Sequence, residues 1–563
     1  MLSRSSQKRD PRTQIDPDEI FLDSANLSKL DVHAFEGRIE RPIGMRATRV
    51  VGLFFVITLV IFAGRAIYLT VYRGSEYQAR SERNHLRYTP VFSERGAIVD
   101  RNGVELAVNM AASGTEFSLR HYTTLPGFSH LTGFVKYPSK DASGFYYSNE
   151  TAGIDGVEKA YDGELRGKNG IRIIEVDAVG AVASKRVVVA PQQGTNVSLS
   201  IDSRLQQKLF ELIKGTAERV GFSAGAGALM DIRTGELLAL TSFPDYSSQV
   251  MTDGEDTKTI NSYNRDPHKP FLNRAVDGLY TPGSIIKPFI ATAALNEHIV
   301  TPDTIIVSTG SISIPNPFDS KKKTVFNDWK AHGPVDMRKA LAVSSNVYFF
   351  EIGGGFGSQP GLGIGKIELY LKRFGFGSEI DDPFLHGQPG TIPTPSWKLE
   401  HFNGEPWRIG DTYNTSIGQY GVQITPLQAV RAIAGLANGT YLPRPTIVKT
   451  ESPLLASRFP TFAIDEEIFR VVWEGMRQGV LSGTARGLSL PGLSIAAKTG
   501  TAELGTAKDF VNSWVVGFYP YENPHYAFAV LMEKGPRDNL IGATFVTRGF
   551  LEWLLQNAPE YTK

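Results

Sequence analysis

The sequence predicts an α/β protein: one sheet domain spanning about residues 220 to 560, a β-rich segment before it, and a single transmembrane helix near the N-terminus. Three observations carry that expectation. Two alternating apolar strands just after residue 220 are separated from three late strands and a closing helix by a long, mainly helical stretch. Between about residues 73 and 200, short β-rich pieces alternate with turn residues. Near residue 50 an uncharged apolar run is long enough to cross a bilayer.

Composition narrows the function classes. A chain of 563 residues is too long for one ordinary domain, and with 41% hydrophobic and 21% charged residues it has a globular make-up. Its 59 basic and 58 acidic residues give a net charge of +1, which argues against a nucleic-acid-binding surface. There is no cysteine, so disulfides, thiol catalysis and thiolate metal sites are excluded. Cysteine usage therefore does not choose a compartment.

The elements follow in order. Residues 1 to 45 are polar and mixed in charge, and read as a disordered cytoplasmic tail. The run VVGLFFVITLVIFAG from Val50 continues past Arg65 to Val71, about 22 residues in all, close to what a membrane-crossing helix needs; the transmembrane segment is placed at 46–72. Arg65 lies near the end of the span, where it can snorkel beside Tyr68 and Tyr72. Arg41, Arg46 and Arg49 flank the N-terminal side, so the N-terminus is expected in the cytoplasm and everything after about residue 72 outside. A long polar stretch precedes the run and no small-residue cleavage site follows it, which disfavours a cleaved signal peptide. Residues 73–205 then read as a pedestal with strands in RGAIVDRNGVELAVN, GTEFSL, IRIIEVDAVG and TNVSLSID; Asn102-Gly103 supplies the first hairpin turn. A helix capped by Asp202 or Ser203 is expected to run to Gly215. GALMDIRTGELLALTSFP reads as a hairpin on Thr234-Gly235. Helical stretches include PFIATAALNE, MRKALAVSSNVYFFEI, TPLQAVRAIAGLANG and DEEIFRVVWEGMRQGVL. LSIAAKTGTAE, NSWVVGFYPY and HYAFAVLMEKG are the late strands, and ATFVTRGFLEWLLQNA is the last helix. Residues 206–563 thus form the second domain.

Three short motifs in this domain carry chemistry. In YTPGSIIKP, Pro282-Gly283 makes a turn and Ser284 begins a helix, where unpaired N–H groups favour negative charge on its oxygen. Lys287 follows three residues on, on the same helix face. A serine hydroxyl needs a neighbouring base, and a desolvated lysine can be one. Ser344-Ser345-Asn346 places polar groups inside an apolar helical block. Lys498-Thr499-Gly500-Thr501, the only K-T-G in the chain, lies on a strand; its lysine and hydroxyls suit a carboxylate, and Gly500 lets a substrate backbone approach the strand closely. Each motif alone is weak. S-x-x-K recurs at Ser5–Lys8 and Ser320–Lys323, and S-x-N at Ser24–Asn26 and Ser262–Asn264. Buried hydroxyls or a solvated lysine would explain each by itself. The ordered combination is not explained that way, and it is the signature of serine β-lactamases and penicillin-binding proteins.

On these residues the chain resembles the class B penicillin-binding proteins, and within them the elongation-type penicillin-binding protein 2 family. The resemblance extends to GIDGVEKAYDGELRGKNG, NRAVDGLYTPGSIIKPF, FNDWKAHGPVDMRKALAVSSNVYFFEI, TPSWK and GDTYNTSIGQYGVQITPLQ. It implies a transpeptidase/β-lactamase-like fold, an antiparallel sheet flanked by helices plus an all-helical subdomain. It also implies a peptidoglycan D,D-transpeptidase of the cell membrane that acts on stem peptides ending in D-Ala-D-Ala and is acylated by β-lactams. Ser284 would be the nucleophile and Lys287 its base. Ser344 would pass a proton to the leaving amine, and Asn346 would hold Lys287 and a substrate amide. Lys498 would supply positive potential, Thr499 and Thr501 would bind the terminal carboxylate, and the N–H groups of Ser284 and Thr501 would form the oxyanion hole.

The chain departs from the family in three places. The stretch between Asn109 and His130 is shorter than the family's head region, which bears on any partner bound there. Some relatives hold a zinc ion near the S-x-N helix with a cysteine; here there is none, Asp328 with His332 is too small a set, and neither metal nor cofactor is expected. No glycosyltransferase domain precedes the pedestal, so the resemblance implies a separate polytopic glycosyltransferase partner. A D,D-carboxypeptidase or serine β-lactamase would share the acylation step and pass the acyl group to water. A penicillin-binding sensor or inactive scaffold would keep the motifs without turnover.

Overall fold

The computed structural model describes residues 44–142, 144–176, 182–316, 319, 321–449, 461–505 and 508–563. The expected tail at 1–45 falls almost wholly outside them, as does the end of IRIIEVDAVG. The chain divides into two units, residues 1–87 with 176–181, and residues 88–175 with 182–563.

In the first unit, helix α1 (Met45–Ile67) passes into a π-helical turn, Tyr68–Tyr72. Among the described residues this is the one helix long and apolar enough to cross a membrane, 28 residues or about 42 Å of rise. Leu53, Phe54, Phe55, Leu59 and Phe62 are all exposed, so the helix is apolar all round, as a lipid-facing surface requires. The Arg65 guanidinium lies 5.3 Å from the Tyr68 ring, near the end of the span. Helix α2 (Gly74–His85) follows.

The second unit opens with a β-rich part. Strands β1 (Leu86–Val91), β2 (Ile98–Val99), β3 (Glu105–Met110), β4 (Leu119–Tyr122), β5 (Gly170–Val176), β6 (Val182–Val189) and β7 (Val197–Ser198) make two sheets, ordered β1-β5-β6 and β7-β2-β3-β4. The β2–β3 turn closes as expected: Gly103 N donates to Asp100 O at 3.1 Å, with Gly103 at φ +85°. GTEFSL does not form a strand over its length. Thr115 Oγ1 donates to Ala112 O and Phe117 O, which folds the segment into turns, and pairing starts only at Leu119.

Helix α3 (Ser203–Val220) is capped by Asp202, whose carboxylate accepts from Arg204 N at 3.0 Å. It does not stop at Gly215. Thr216 and Ala217 continue the buried stripe, and that burial outweighs the roughly 1 kcal/mol cost of an interior glycine; Gly221, left-handed at φ +80°, is the actual cap. Strands β8 (Ala224–Asp231) and β9 (Leu237–Phe243) form the expected hairpin. The helical block contains α4 (Lys287–Asn296), α5 (Met337–Val343), α6 (Asn346–Gly354), α7 (Pro426–Asn438) and α8 (Glu466–Leu481) with further helices between them. The stretch read as one helix, MRKALAVSSNVYFFEI, is two: Ser344 is left-handed (φ 58°, ψ 41°) and ends α5, while Ser345 caps α6. Strands β10 (Ala496–Leu504), β11 (Phe510–Tyr519) and β12 (Tyr526–Pro536), then helix α9 (Ala543–Asn557), complete the chain.

The sheet is antiparallel throughout, ordered β9-β8-β12-β11-β10. Alternate side chains enter two cores. Leu229, Val515 and Val530 pack with α3 and α9; Ala228, Trp514, Val516 and Leu531 pack with α7 and the helical block. A sheet covered on both faces explains why β8 is buried at every position. Strand β10 is left at an edge, next to the turn that carries Ser284.

Candidate active site

The Ser284 turn is held from three sides. Tyr280 and Ile424 exchange both backbone hydrogen bonds, at 2.9 and 3.0 Å. Trp514 Nε1 donates to Thr281 O at 3.0 Å, and Gly283 N donates to Gly418 O at 3.0 Å. Gly283 is left-handed at φ +57°, and a Cβ there would stand 3.0 Å from Thr501 O. The turn is 3₁₀-helical over Gly283–Ile286 and flows into α4. Ser284 is thus in a first turn, where its N–H has no partner within the helix, and its side chain is half-buried.

Gly500 is where the Ser284 turn meets β10. A Cβ at this position would meet Pro282 O at 2.7 Å and Ile285 Cγ2 at 2.9 Å. Its missing side chain admits the Ser284 turn. The same contact sets the strand's orientation. Thr501 O faces Gly283, and in an antiparallel strand the N–H and C=O of one residue point the same way, so the Thr501 N–H also faces the open edge. The Ser284 turn and the Thr501 edge of β10 are thereby side by side.

Lys287 is fully buried, and its Nζ donates to Ser344 O (2.9 Å), Ser344 Oγ (3.3 Å) and Asn346 Oδ1 (2.8 Å). Lys498, also buried, donates from Nζ to Ser344 Oγ at 2.9 Å and Thr499 O at 2.8 Å. The Ser344 hydroxyl is therefore shared by two lysines from distant parts of the chain. The Ser284 hydroxyl is not among the partners of Lys287, although the two residues sit one turn apart. Burial pushes the Lys287 ammonium down to about 7, with the nearby Asp328 charge opposing the shift. Burial, and then the charge of Lys287, hold Lys498 well below the usual lysine range. A neutral Lys287 amine spends its two N–H groups on Ser344 O and Asn346 Oδ1, which leaves a lone pair to take a proton. Thr499 and Thr501 lie on the strand's other face; Thr499 Oγ1 donates to Thr484 Oγ1 at 2.8 Å, and Thr501 is exposed.

Two neighbours were not identified by motif. Thr484, in the loop after α8, touches Thr499 only through the tertiary fold. Asp328, fully buried, accepts on Oδ2 from Ser345 Oγ (2.8 Å), Val347 N (3.0 Å) and Ser308 Oγ (3.1 Å). A zinc site does not fit these residues. His332 Nε2 stands 3.7 Å from Asp328 Oδ1, the other donors are neutral hydroxyls and an amide already used on the carboxylate, and among the described residues no group of three His, Asp or Glu could hold a metal ion. Of the competing motif matches, Ser262–Asn264 lies on the helix Thr257–Arg265, in which no residue is buried, and the others fall wholly or partly outside the described residues.

Comparison with known proteins supports the same grouping. The penicillin binding protein transpeptidase domain model matches residues 225–548, and the penicillin-binding protein dimerisation domain model matches 113–199. The chain is 28% identical to the peptidoglycan D,D-transpeptidase MrdA of Acinetobacter baumannii, covering 92% of this chain and 88% of that protein. It is 26% identical to MrdA of Escherichia coli K12, covering 84% and 88%. Among solved structures it resembles Pseudomonas aeruginosa PBP2 in complex with WCK 5153 (29% identity, TM-score 0.67, 83% of this chain and 98% of that one). It also resembles the PBP2–MreC complex of Helicobacter pylori (25%, 0.68, 84% and 100%) and a chain of a peptidoglycan synthase complex (25%, 0.69, 90% and 97%). The transpeptidase model alone spans more than half of the chain and takes in all three motifs, with the buried lysines that meet on Ser344: the chain belongs to the penicillin-binding protein transpeptidase family.

Proposed function

We propose that this protein is a membrane-anchored peptidoglycan D,D-transpeptidase that cross-links stem peptides through an acyl-enzyme on Ser284, in cell elongation and shape maintenance. The meeting of Lys287 and Lys498 on one serine hydroxyl beside the Ser284 turn carries the reading. The Ser284 oxygen attacks the penultimate carbonyl of a stem ending in D-Ala-D-Ala as its proton passes to neutral Lys287. The N–H groups of Ser284 and Thr501 receive the oxyanion, each such donor worth about 3 kcal/mol. The C–N bond then breaks, and the D-Ala amine takes a proton from Lys287 relayed by Ser344. An amine of a neighbouring stem attacks the ester and gives its proton to Lys287; the C–O bond to Ser284 then breaks, Lys287 returns the proton to the serine oxygen, and the cross-linked product leaves. Lys498 supplies positive potential, Thr499 and Thr501 hold the terminal carboxylate, and Asn346 keeps Lys287 and a substrate amide in place.

We divide the chain into a tail (1–45), an anchor (46–72), a pedestal (73–205) and the transpeptidase domain (206–563). The arginines before the apolar run support a cytoplasmic tail, with the domain on the outer side of the inner membrane. A polytopic glycosyltransferase would supply the glycan strands, in keeping with the synthase complex among the similar structures. Labelled penicillin followed by peptide mapping tests the assignment. The adduct is expected on the peptide that holds Ser284, stable for many minutes and absent in Ser284→Ala. Label elsewhere refutes the site, and rapid release to water favours hydrolysis over transfer.

A further inference from the structure

An unbroken helix through residues 337–354 could not make this site. Residues two apart on a helix point to nearly opposite sides, so Ser344 and Asn346 could not both reach Lys287. They do so because the chain breaks at Ser344 into the left-handed region, which is strained for a residue with a Cβ. Such a conformation persists only where the surroundings hold it, and here the holding group is a carboxylate. Asp328 Oδ2 binds the hydroxyl of Ser345 and the N–H of Val347, the residues on either side of Asn346, and ties both to Ser308 on the strand Ile306–Ser308. Its other oxygen accepts from Trp329 N at 2.9 Å. The Asn346 amide adds a 3.4 Å bond to Asn327 O, next to Asp328.

We propose that Asp328 is a positioning residue of the acylation site: its buried carboxylate pins the break between α5 and α6, and so places Ser344 and Asn346 together on Lys287. It does this through hydrogen bonds alone, with no metal. The proposal rests on the acyl-enzyme reading above, but its failure is separable from the failure of that reading. The charge also acts on Lys287. The ionisable groups facing that lysine are Lys498 from β10, and Asp328 and His332 from the segment before α5; burial lowers His332, which leaves it neutral at pH 7. Asp328 is therefore the one anion among them, and it favours the protonated, inactive form of Lys287.

Two variants separate positioning from bulk stability. Asp328→Asn removes the charge and reverses one donor–acceptor contact. Acylation by labelled penicillin at neutral pH should fall about ten-fold or more, while the acidic limb of its pH profile moves to lower pH because Lys287 loses its anion. Ser345→Ala removes the bond to Asp328 together with the cap on Tyr348 N and keeps the charge; acylation should fall about three-fold with the limb in place. Wild-type labelling of Ser284 establishes the underlying reading first. Given that, wild-type rate and profile in Asp328→Asn would overturn the proposal. If that variant does not fold, an unchanged rate in Ser345→Ala overturns it instead. Treatment of the wild type with a chelator should alter neither rate nor Tm, and a loss restored by zinc would sink the hydrogen-bond account.

Discussion

Lys287 shows what the site costs the protein. Its folded pKa near 7 lies below the 10.5 of an unfolded lysine, so between those values the unfolded chain binds more protons than the folded one. Stability therefore rises with pH from about 7 to 10.5, and the full penalty is present at and below pH 7. Lys287→Met removes it. The variant should lose acylation and gain several °C in Tm at pH 7, with the gain shrinking toward pH 10; thermal melts across that range check it, and a lower Tm at every pH would show that the bonds to Ser344 and Asn346 outweigh the burial of charge. In the wild type the same ionisation should set the acidic limb of acylation near pH 7. That Lys287, Ser344, Asn346 and Lys498 meet beside the Ser284 turn was legible because residue type, spacing and order mark them. Asp328 and Thr484 were not, since their roles are contacts between segments fifteen or more residues apart, and neither FNDWK nor LSGTA has a spacing that announces them.

The element on which the site turns is the packing of the 3₁₀ turn at Gly283–Ile286 against β10. Gly500 makes that packing possible, with Pro282 O only 2.7 Å from where a Cβ would stand. A backbone oxygen cannot swing aside as a flexible side chain does. Gly500→Ala should therefore push the Ser284 turn off the strand and separate the two oxyanion amides, cutting acylation by about a hundred-fold or more for a stability loss of about 1–3 kcal/mol. Comparing the labelling rate with Tm distinguishes the two effects; near-normal labelling would mean that the turn tolerates the shift. At this scale the sequence was informative about the strands and helices that follow a clear period, including all five strands of the main sheet. It misread places where a local signal competed with tertiary packing. Gly215 looked like a helix end, but Thr216 and Ala217 are buried beyond it. The apolar run through Ser344 and Ser345 looked continuous, but a carboxylate from another segment holds it broken.

Across the whole molecule, the apolar helix and the site belong to separate units of the chain. The helix Met45–Tyr72 is exposed along its length, a surface that water would not tolerate in a free protein and that a bilayer accepts. Every hydrogen bond described for the site, by contrast, comes from residues from Tyr280 onward, and the two cores that support the sheet are drawn from residues from Ile98 onward. The anchor should then contribute location and nothing to acylation. A form lacking residues 1–72 should leave the membrane fraction and become soluble, while its rate of Ser284 labelling by penicillin stays within about two-fold of the full-length protein in detergent. It should nevertheless fail to support growth of a strain that depends on the protein, because a freed enzyme loses the high effective concentration that an anchor gives it at the membrane surface. Restored growth with a foreign membrane helix in place of residues 50–71 would show that the anchor acts by location alone. Failure of that chimera, with labelling intact, would show that the native helix makes a specific contact within the bilayer.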